Sequence, residues 1–509
     1  MIDCLLVTAD SSLDAYQSLS KKYSAIEPPT WSLLLAESCR SVGFKVKILD
    51  CIAEGLSLKE SVGRIIKEQA RVVLFVVYGQ NPNAGTTSMI GAERLSRELK
   101  KQCPKSHVCF VGSHTSALPK EVLSLPQVDT VLLNEGVYAL RNLLKSDLKD
   151  GLSDIKGIGW KSKDKLILNE PEKIVPQDRM DIDLPGYAWD LLPFDEKPLD
   201  LYRSHVWHAN FNEDIRSPYA AIYTSLGCVF GCGFCMINIV NRTNNEDNIH
   251  AGNSRVMRFW SVDWVINQFS ILDELGVKTV RISDEMFLLN QKYYQPICKR
   301  LAKFEKKFHI WAYSRIDTVR SGLLKLVKQA GIEWLAVGIE AGVQTVRLSS
   351  SKGSFKDTNV RDICKSIEEH KINVISNFIV GLPNDNYQTM IATMQLALEL
   401  NTAMMNVYPC MKLPGSYLYS EAKNKGEDLP VSYEEFAFLS YDSKPSGTNQ
   451  LLNKEVIAFR DYFWQTYFSN PFYLEKVEKL FGSKQRENVQ EMATHKLKRK
   501  LLEKKISSN

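Results

Sequence analysis

The run Thr224-Ser-Leu-Gly-Cys228-Val-Phe-Gly-Cys232-Gly-Phe-Cys235 sets three cysteines at C-x3-C-x2-C spacing with glycines between them. A short glycine-rich loop can curl its side chains inward, and thiolates so arranged suit one face of an iron–sulfur cube. Tyr219–Thr224 reads as an apolar strand leading straight into this loop. The chain must therefore leave a strand here through an irregular turn that presents three thiols together. Cys298, Cys364 and Cys410 stand alone in stretches that read as helix or strand, so no fourth cysteine is near. A structural zinc site takes four ligands, usually as two separated pairs. A disulfide framework belongs to small secreted chains. Neither pattern is present. The expectation is a [4Fe–4S] cluster on Cys228, Cys232 and Cys235, with one iron open to a non-protein ligand.

Around this loop the chain reads as α/β. Residues 1–146 alternate short apolar strands (Ile2–Thr8, Lys45–Leu49, Arg71–Val77, His107–Gly112, Asp129–Leu133) with amphipathic helices, which argues for a doubly wound parallel sheet. Ligands of such sheets sit at the carboxyl ends of the strands. The loops there are Glu27–Thr30, Tyr78–Gly85, Gly112–Pro119 and Asn134–Gly136. No G-x-G-x-x-G follows the first strand, which weakens a nucleotide reading. Residues 147–215 read as a connector: a hairpin near Gly157–Asn169, then prolines too frequent for long regular elements. From 216 to 416 six strand-helix units resume, fitting a partial barrel whose reactive groups lie at the strands' carboxyl ends. Residues 417–509 read as mostly helical, rich in aromatics, and placed to close the barrel's open side.

The 509 residues suit about three domains. The net charge of +5 is mild for this length, and the basic run after His495 reads as a solvated end, so no nucleic-acid partner is indicated. No apolar run approaches the ~20 residues of a membrane span. No export signal is evident, and eleven cysteines then point to a reducing, cytoplasmic setting.

The cysteine loop, followed in order by Ser283-Asp-Glu285, Ser314-Arg-Ile-Asp317, Gly338-Ile-Glu340-Ala-Gly342 and Asn377-Phe-Ile-Val-Gly381-Leu-Pro383, resembles the radical S-adenosylmethionine (SAM) enzymes over about 200 residues. The resemblance implies that Asp284 and Glu285 receive the SAM amino group. Glu340 would bind the ribose hydroxyls, Gly381 would admit the adenine and Phe234 would pack beside it. Arg315 would either pair with Asp317 or meet the SAM carboxylate. The first 146 residues resemble the cobalamin-binding domain that precedes the barrel in one subgroup, through Pro28-Pro29, Gly43, Asp50, Val111–Pro119 and Asn134-Glu-Gly136. Pro28, Tyr78, Gln80, Asn81, His114, Thr115 and Glu135 become candidate cobalamin contacts. None of the eight histidines lies in Asp-x-His-x-x-Gly, so a histidine ligand to cobalt is not expected.

By resemblance the chain would cleave SAM reductively at the cluster, with an electron from flavodoxin or ferredoxin. It would then transfer a methyl group from methylcobalamin to an unactivated carbon of a small-molecule substrate. Oxidative cyclisation, ring rearrangement and a non-catalytic iron–sulfur or cobalamin-binding role are the alternatives.

Overall fold

A computed structural model of the chain describes residues 2–79, 82–163, 165–246, 248–350 and 359–503. The strands of the first sheet are β1 (Cys4–Thr8), β2 (Val46–Asp50), β3 (Val72–Val77), β4 (His107–Gly112), β5 (Thr130–Leu132), β6 (Ile158–Ser162) and β7 (Lys165–Leu168). Their order is β2-β1-β3-β4-β5-β6-β7. The first five are parallel, as the strand-helix alternation predicts. The hairpin β6–β7, expected in the connector, instead pairs antiparallel with β5 and extends this sheet.

Side chains alternate across a strand. Leu5 and Val7 therefore pack on one face with helices Leu58–Glu68 and Gly85–Gln102. Cys4 and Leu6 face the other way, toward helices Thr30–Arg40 and Val137–Lys145. The core on that second face runs on without a break into the rest of the chain. β3 (VVLFVV) is buried on both faces, which is why it reads as an uninterrupted apolar run.

The second body holds β8 (Tyr219–Ile222), β9 (Ser225–Gly227), β10 (Met257–Phe259), β11 (Thr279–Ile282), β12 (His309–Arg315), β13 (Ile332–Glu340), β14 (Asn373–Val380) and β15 (Met404–Pro409). Six of these form one sheet in the order β15-β14-β13-β12-β11-β8, parallel throughout: a partial barrel with β8 and β15 as its edges. β9 and β10 form a small ribbon beside the cysteine loop.

The barrel interior is filled from two directions. Trp207 and His208, from the proline-rich segment, pack among Trp311, Trp334 and His309. Tyr16 and Glu27, from the first domain, reach in beside β8: Glu27 accepts from Tyr219 Oη (3.3 Å) and pairs with Arg281 of β11. Helix Asn453–Phe468 lies along edge strand β15, where Arg460 Nε donates to Val407 O (2.9 Å).

Candidate active site

The cysteine loop is launched by a carboxylate. Asp284, at the end of β11 and 1% exposed, accepts from Thr224 N, Thr224 Oγ1 and Ser225 Oγ, each at 2.6 Å. The loop is then turned back by Asn238, whose Oδ1 accepts from Cys228 N (3.1 Å) and whose Nδ2 donates to Cys228 O (2.7 Å). Asp284 is thus spent on the loop and does not line the cavity in front of it, contrary to the role expected of it.

That cavity, of about 380 Å³, is walled by Cys228, Cys232 and Cys235 together with Phe234, Glu285, Arg315 and Glu340 from the barrel. Its other wall comes from the first domain: Tyr16, Asn83, Ala84 and Thr87. The three thiols lie within electrostatic reach of one another. Among the described residues no three such side chains close on a single point. A lone ion needs that convergence, whereas a cluster spreads its thiolates over separate irons. Burial pushes Cys228 up to about 11 and Cys232 up to about 12, so binding iron as thiolates would release their protons to solvent.

Glu285 has one carboxylate oxygen buried without a hydrogen-bond partner. Burial raises this carboxyl to about 8, against the opposing pull of Arg281. Glu340 ends β13 at a register shift with φ +66°, and burial raises it to about 7 while Arg315 pulls the other way. An orphaned buried carboxylate is the partner a ligand ammonium requires, since charge-assisted bonds are the stronger ones. Arg315 takes the first of its two expected roles. It binds Asp317 through Nε (3.0 Å) and Nη2 (2.6 Å) and lies 3.7 Å above the Phe230 ring.

Gly381 is not at the cavity. At φ +78° a Cβ there would stand 2.4 Å from Val456 Cγ1, so this glycine serves the packing of helix Asn453–Phe468. Asn377 and Ile379, four and two residues earlier, line the cavity instead.

A second cavity, of about 120 Å³, lies at the carboxyl ends of β1 and β3, with Pro28, Trp31, Tyr78 and Gly79 in its wall. Tyr16, Ala84 and Thr87 border both cavities, which therefore adjoin. Pro28 and Tyr78, expected as cobalamin contacts, line this cavity, and Gln80 and Asn81 lie outside the described residues. His114, Thr115 and Glu135 line neither cavity. The segment expected as a loop holds the short helix Ser113–Ala117. There His114 is fully buried, its Nδ1 3.0 Å from Thr86 Oγ1 and its Nε2 3.4 Å from Glu121. Thr115 is buried in the same turn. Glu135 binds Arg258 Nη2 (2.8 Å) and accepts from Val175 N, which ties the first domain to β10.

Tyr16, Asn83, Tyr313 and Tyr408 also line the larger cavity and were not singled out from sequence, whereas Phe438, which lines it too, belongs to the C-terminal aromatic cluster that the sequence reads as core. Asn83 lies in the polar strand-end loop Tyr78–Gly85, so that loop was the available signal. Tyr313 and Tyr408 occupy the ends of β12 and β15, a position sequence spacing could have flagged.

The B12 binding domain family matches residues 19–144 and the Radical SAM superfamily matches residues 222–397. An uncharacterized methyltransferase of Pyrococcus horikoshii is 25% identical over 440 residues, covering 85% of this chain and 87% of its own. The anaerobic magnesium-protoporphyrin IX monomethyl ester cyclase of Rubrivivax gelatinosus is 22% identical, covering 91% and 78%. The solved structure of the cobalamin-dependent S-adenosylmethionine radical enzyme OxsB, with aqua-cobalamin and S-adenosylmethionine bound, shares the fold. Its TM-score is 0.67 at 14% identity, over 97% of this chain and 72% of that one. With a strand-end cavity on its B12 domain opening beside a three-cysteine loop on its radical SAM barrel, the chain belongs to the cobalamin-dependent radical SAM enzymes.

Proposed function

We propose that this enzyme is a methyltransferase acting on an unactivated carbon of a small molecule. One observation carries the reading: a single cavity is walled on one side by the three cysteines and on the other by the B12 domain. A substrate held there faces both cofactors at once. When bound, the cluster and SAM supply radical chemistry, and cobalamin supplies the methyl group.

The protein's share is binding and orientation. Cys228, Cys232 and Cys235 hold the cluster. Glu285 offers its unpartnered oxygen to the SAM ammonium, Glu340 accepts from the ribose hydroxyls and Phe234 packs beside the adenine. Pro28 and Tyr78 line the strand-end cavity of the B12 domain, on the side from which cobalamin would be held. Tyr313, Tyr408, Phe436 and Phe438 give the remaining space an aromatic wall, which keeps water from a reactive carbon. The electron comes from a low-potential donor of the flavodoxin or ferredoxin kind.

Anaerobic incubation with titanium(III) citrate, SAM and hydroxocobalamin tests this, the reductant supplying the electron for the cluster and the cob(I)alamin that accepts the methyl group of SAM. Formation of 5′-deoxyadenosine and S-adenosylhomocysteine is expected, and formation of neither would sink the enzyme reading. The Rubrivivax relative favours a second reading, oxidative cyclisation. That reaction consumes no methyl group, so 5′-deoxyadenosine without S-adenosylhomocysteine would select it.

A further inference from the structure

The basic run after His495, which the sequence presents as a solvated end, buries one of its members. Arg499 is 3% exposed. Its Nε and Nη2 bind Asp461 of helix Asn453–Phe468 (2.9 Å each), and its Nη1 donates to Phe438 O (2.8 Å) and Ser440 O (2.9 Å). Lys500 N continues the contact to Tyr441 O (3.0 Å). The carbonyl of Leu439, between these, is claimed by the first domain: Gln17 Nε2 donates to it (2.7 Å). The same amide holds the tail, accepting from Lys498 N (3.3 Å) and donating to Lys498 O (3.2 Å). A backbone N–H can only donate, so the amide oxygen must face Lys498 N, and the NH₂ is left for the two carbonyls. Three successive carbonyls, Phe438 to Ser440, are thus held by two side chains from opposite ends of the chain.

We propose that Gln17 and Arg499 are positioning residues for the reaction: they hold Phe438 in place as a wall of the larger cavity and seal that wall to the first domain beside Tyr16. The inference rests on the reading that the substrate lies in that cavity. Phe438 and Tyr16 both line it. Phe438 stands edge-on to Tyr408 (5.1 Å between ring centroids), with the Arg460 guanidinium 5.6 Å from its ring. Residues 437–441 lie in no helix or strand, so no backbone ladder fixes their path and the side-chain donors must do so. Gln17 directly follows Tyr16, at the end of helix Ser12–Tyr16. The bond that holds Leu439 therefore also fixes the residue that borders both cavities. The charge network separates the wall from the rest of the fold. Without Arg499, Asp461 keeps Arg460 Nη1 (2.9 Å), so no charge is stranded. What is lost is the donor to Phe438 O and Ser440 O. A carbonyl left without its donor takes water instead. That water would enter beside Phe438, at the wall of a cavity whose radical chemistry depends on its exclusion.

The test is anaerobic thiol alkylation of the full chain, cluster loaded, read cysteine by cysteine by mass spectrometry. Cys410 lines the larger cavity and is 1% exposed, while Cys4 and Cys109, wholly buried in the first sheet, report unfolding of the whole protein. In the wild type, N-ethylmaleimide is expected to modify Cys410 as slowly as Cys4 and Cys109. Gln17→Ala and Arg499→Ala should each speed modification of Cys410 about tenfold, the upper worth of one hydrogen bond in a local opening, and leave the other two slow. Arg499→Lys, which keeps the charge and part of the donor set, should fall between wild type and Arg499→Ala. A Cys410 rate unchanged in both alanine variants would overturn the inference. So would equal acceleration of all three cysteines, the mark of a merely structural role. If a variant fails to fold, hydrogen exchange on the wild type decides: amides 438–441 and 498–500 should exchange as one unit. Free exchange of 498–500 with 438–441 still protected would overturn the inference. Absence of both 5′-deoxyadenosine and S-adenosylhomocysteine in the cofactor assay would overturn the enzyme reading, and the reaction role of this wall with it, even where Cys410 behaves as expected, so the two failures are told apart.

Discussion

Glu27, on the strand-end loop of the B12 domain, pairs inside the barrel with Arg281, a residue 254 positions away. Their side chains are 6% and 1% exposed. The guanidinium lies 4.9 Å from the Trp311 ring and 5.2 Å from the Tyr313 ring, so the Glu27 loop and β12 both converge on it. Removing one member of a buried pair strands the other charge and costs roughly 3–5 kcal/mol, more than the pair itself contributes. Glu27→Ala is expected to lose stability on that order, seen as a lower urea midpoint. The double replacement Glu27→Gln with Arg281→Met should recover much of it. If the single and double variants melt alike, the pair does not join the domains.

The cluster assignment predicts a clean division among the cysteines. Cys228→Ala, Cys232→Ala or Cys235→Ala should each abolish iron binding and the visible absorption while leaving the far-ultraviolet dichroism intact, because these residues sit in a loop outside the core clusters. Cys298 and Cys364 are buried in helices Gln291–Leu301 and Val360–Glu369. Alanine there should keep the iron and cost roughly 1 kcal/mol of stability. Iron content after anaerobic reconstitution decides the matter.

Glu285 and Glu340 make the cofactor-free protein sensitive to pH. Their folded-state values of about 8 and about 7 lie above the ordinary carboxylate value of 4.5. The folded state therefore binds more protons than the unfolded state between those limits, and stability falls as pH rises through this window. Both residues are half-buried rather than fully buried, which makes the slope shallower than complete burial would give. Thermal melts of cofactor-free protein from pH 5 to 8.5 should show the decline. Glu285→Gln combined with Glu340→Gln should flatten it.

Gly381 and Val456 should be energetically coupled. Gly381→Ala meets Val456 at 2.4 Å and holds a side chain at φ +78°. Overpacking and the left-handed backbone together cost on the order of 2–4 kcal/mol. Val456→Ala relieves the clash but not the backbone conformation, so the double variant should be less destabilised than the sum of the two single ones. Additive urea midpoints would show that the helix simply moves aside.

The parallel strands of both bodies were legible because period-2 and period-3.6 patterns are local, and most bounds agree within two residues. The cysteine loop was legible because thiolate spacing within eight residues is itself local geometry. The hairpin β6–β7 was found, but its pairing with β5 was not, since register between distant strands leaves no local trace. The same limit explains the misplaced site residues. Asp284 and Glu285 are adjacent acids, and only the neighbouring strand decides that one anchors Thr224 and Ser225 while the other faces the cavity. His114 and Glu135 follow strand ends as ligand contacts would, yet Thr86 and Arg258 claim them from elsewhere in the chain.

What the amino acids alone determined is the pair of α/β units and the chemistry of one loop, because both depend on residues a few positions apart. What only the tertiary structure decided is which polar groups are left over to face a ligand. Glu27 inside the barrel, Gln17 on Leu439 and the free oxygen of Glu285 all arise from contacts between segments far apart in the chain. A buried polar group becomes available to a cofactor only when no such contact has already satisfied it.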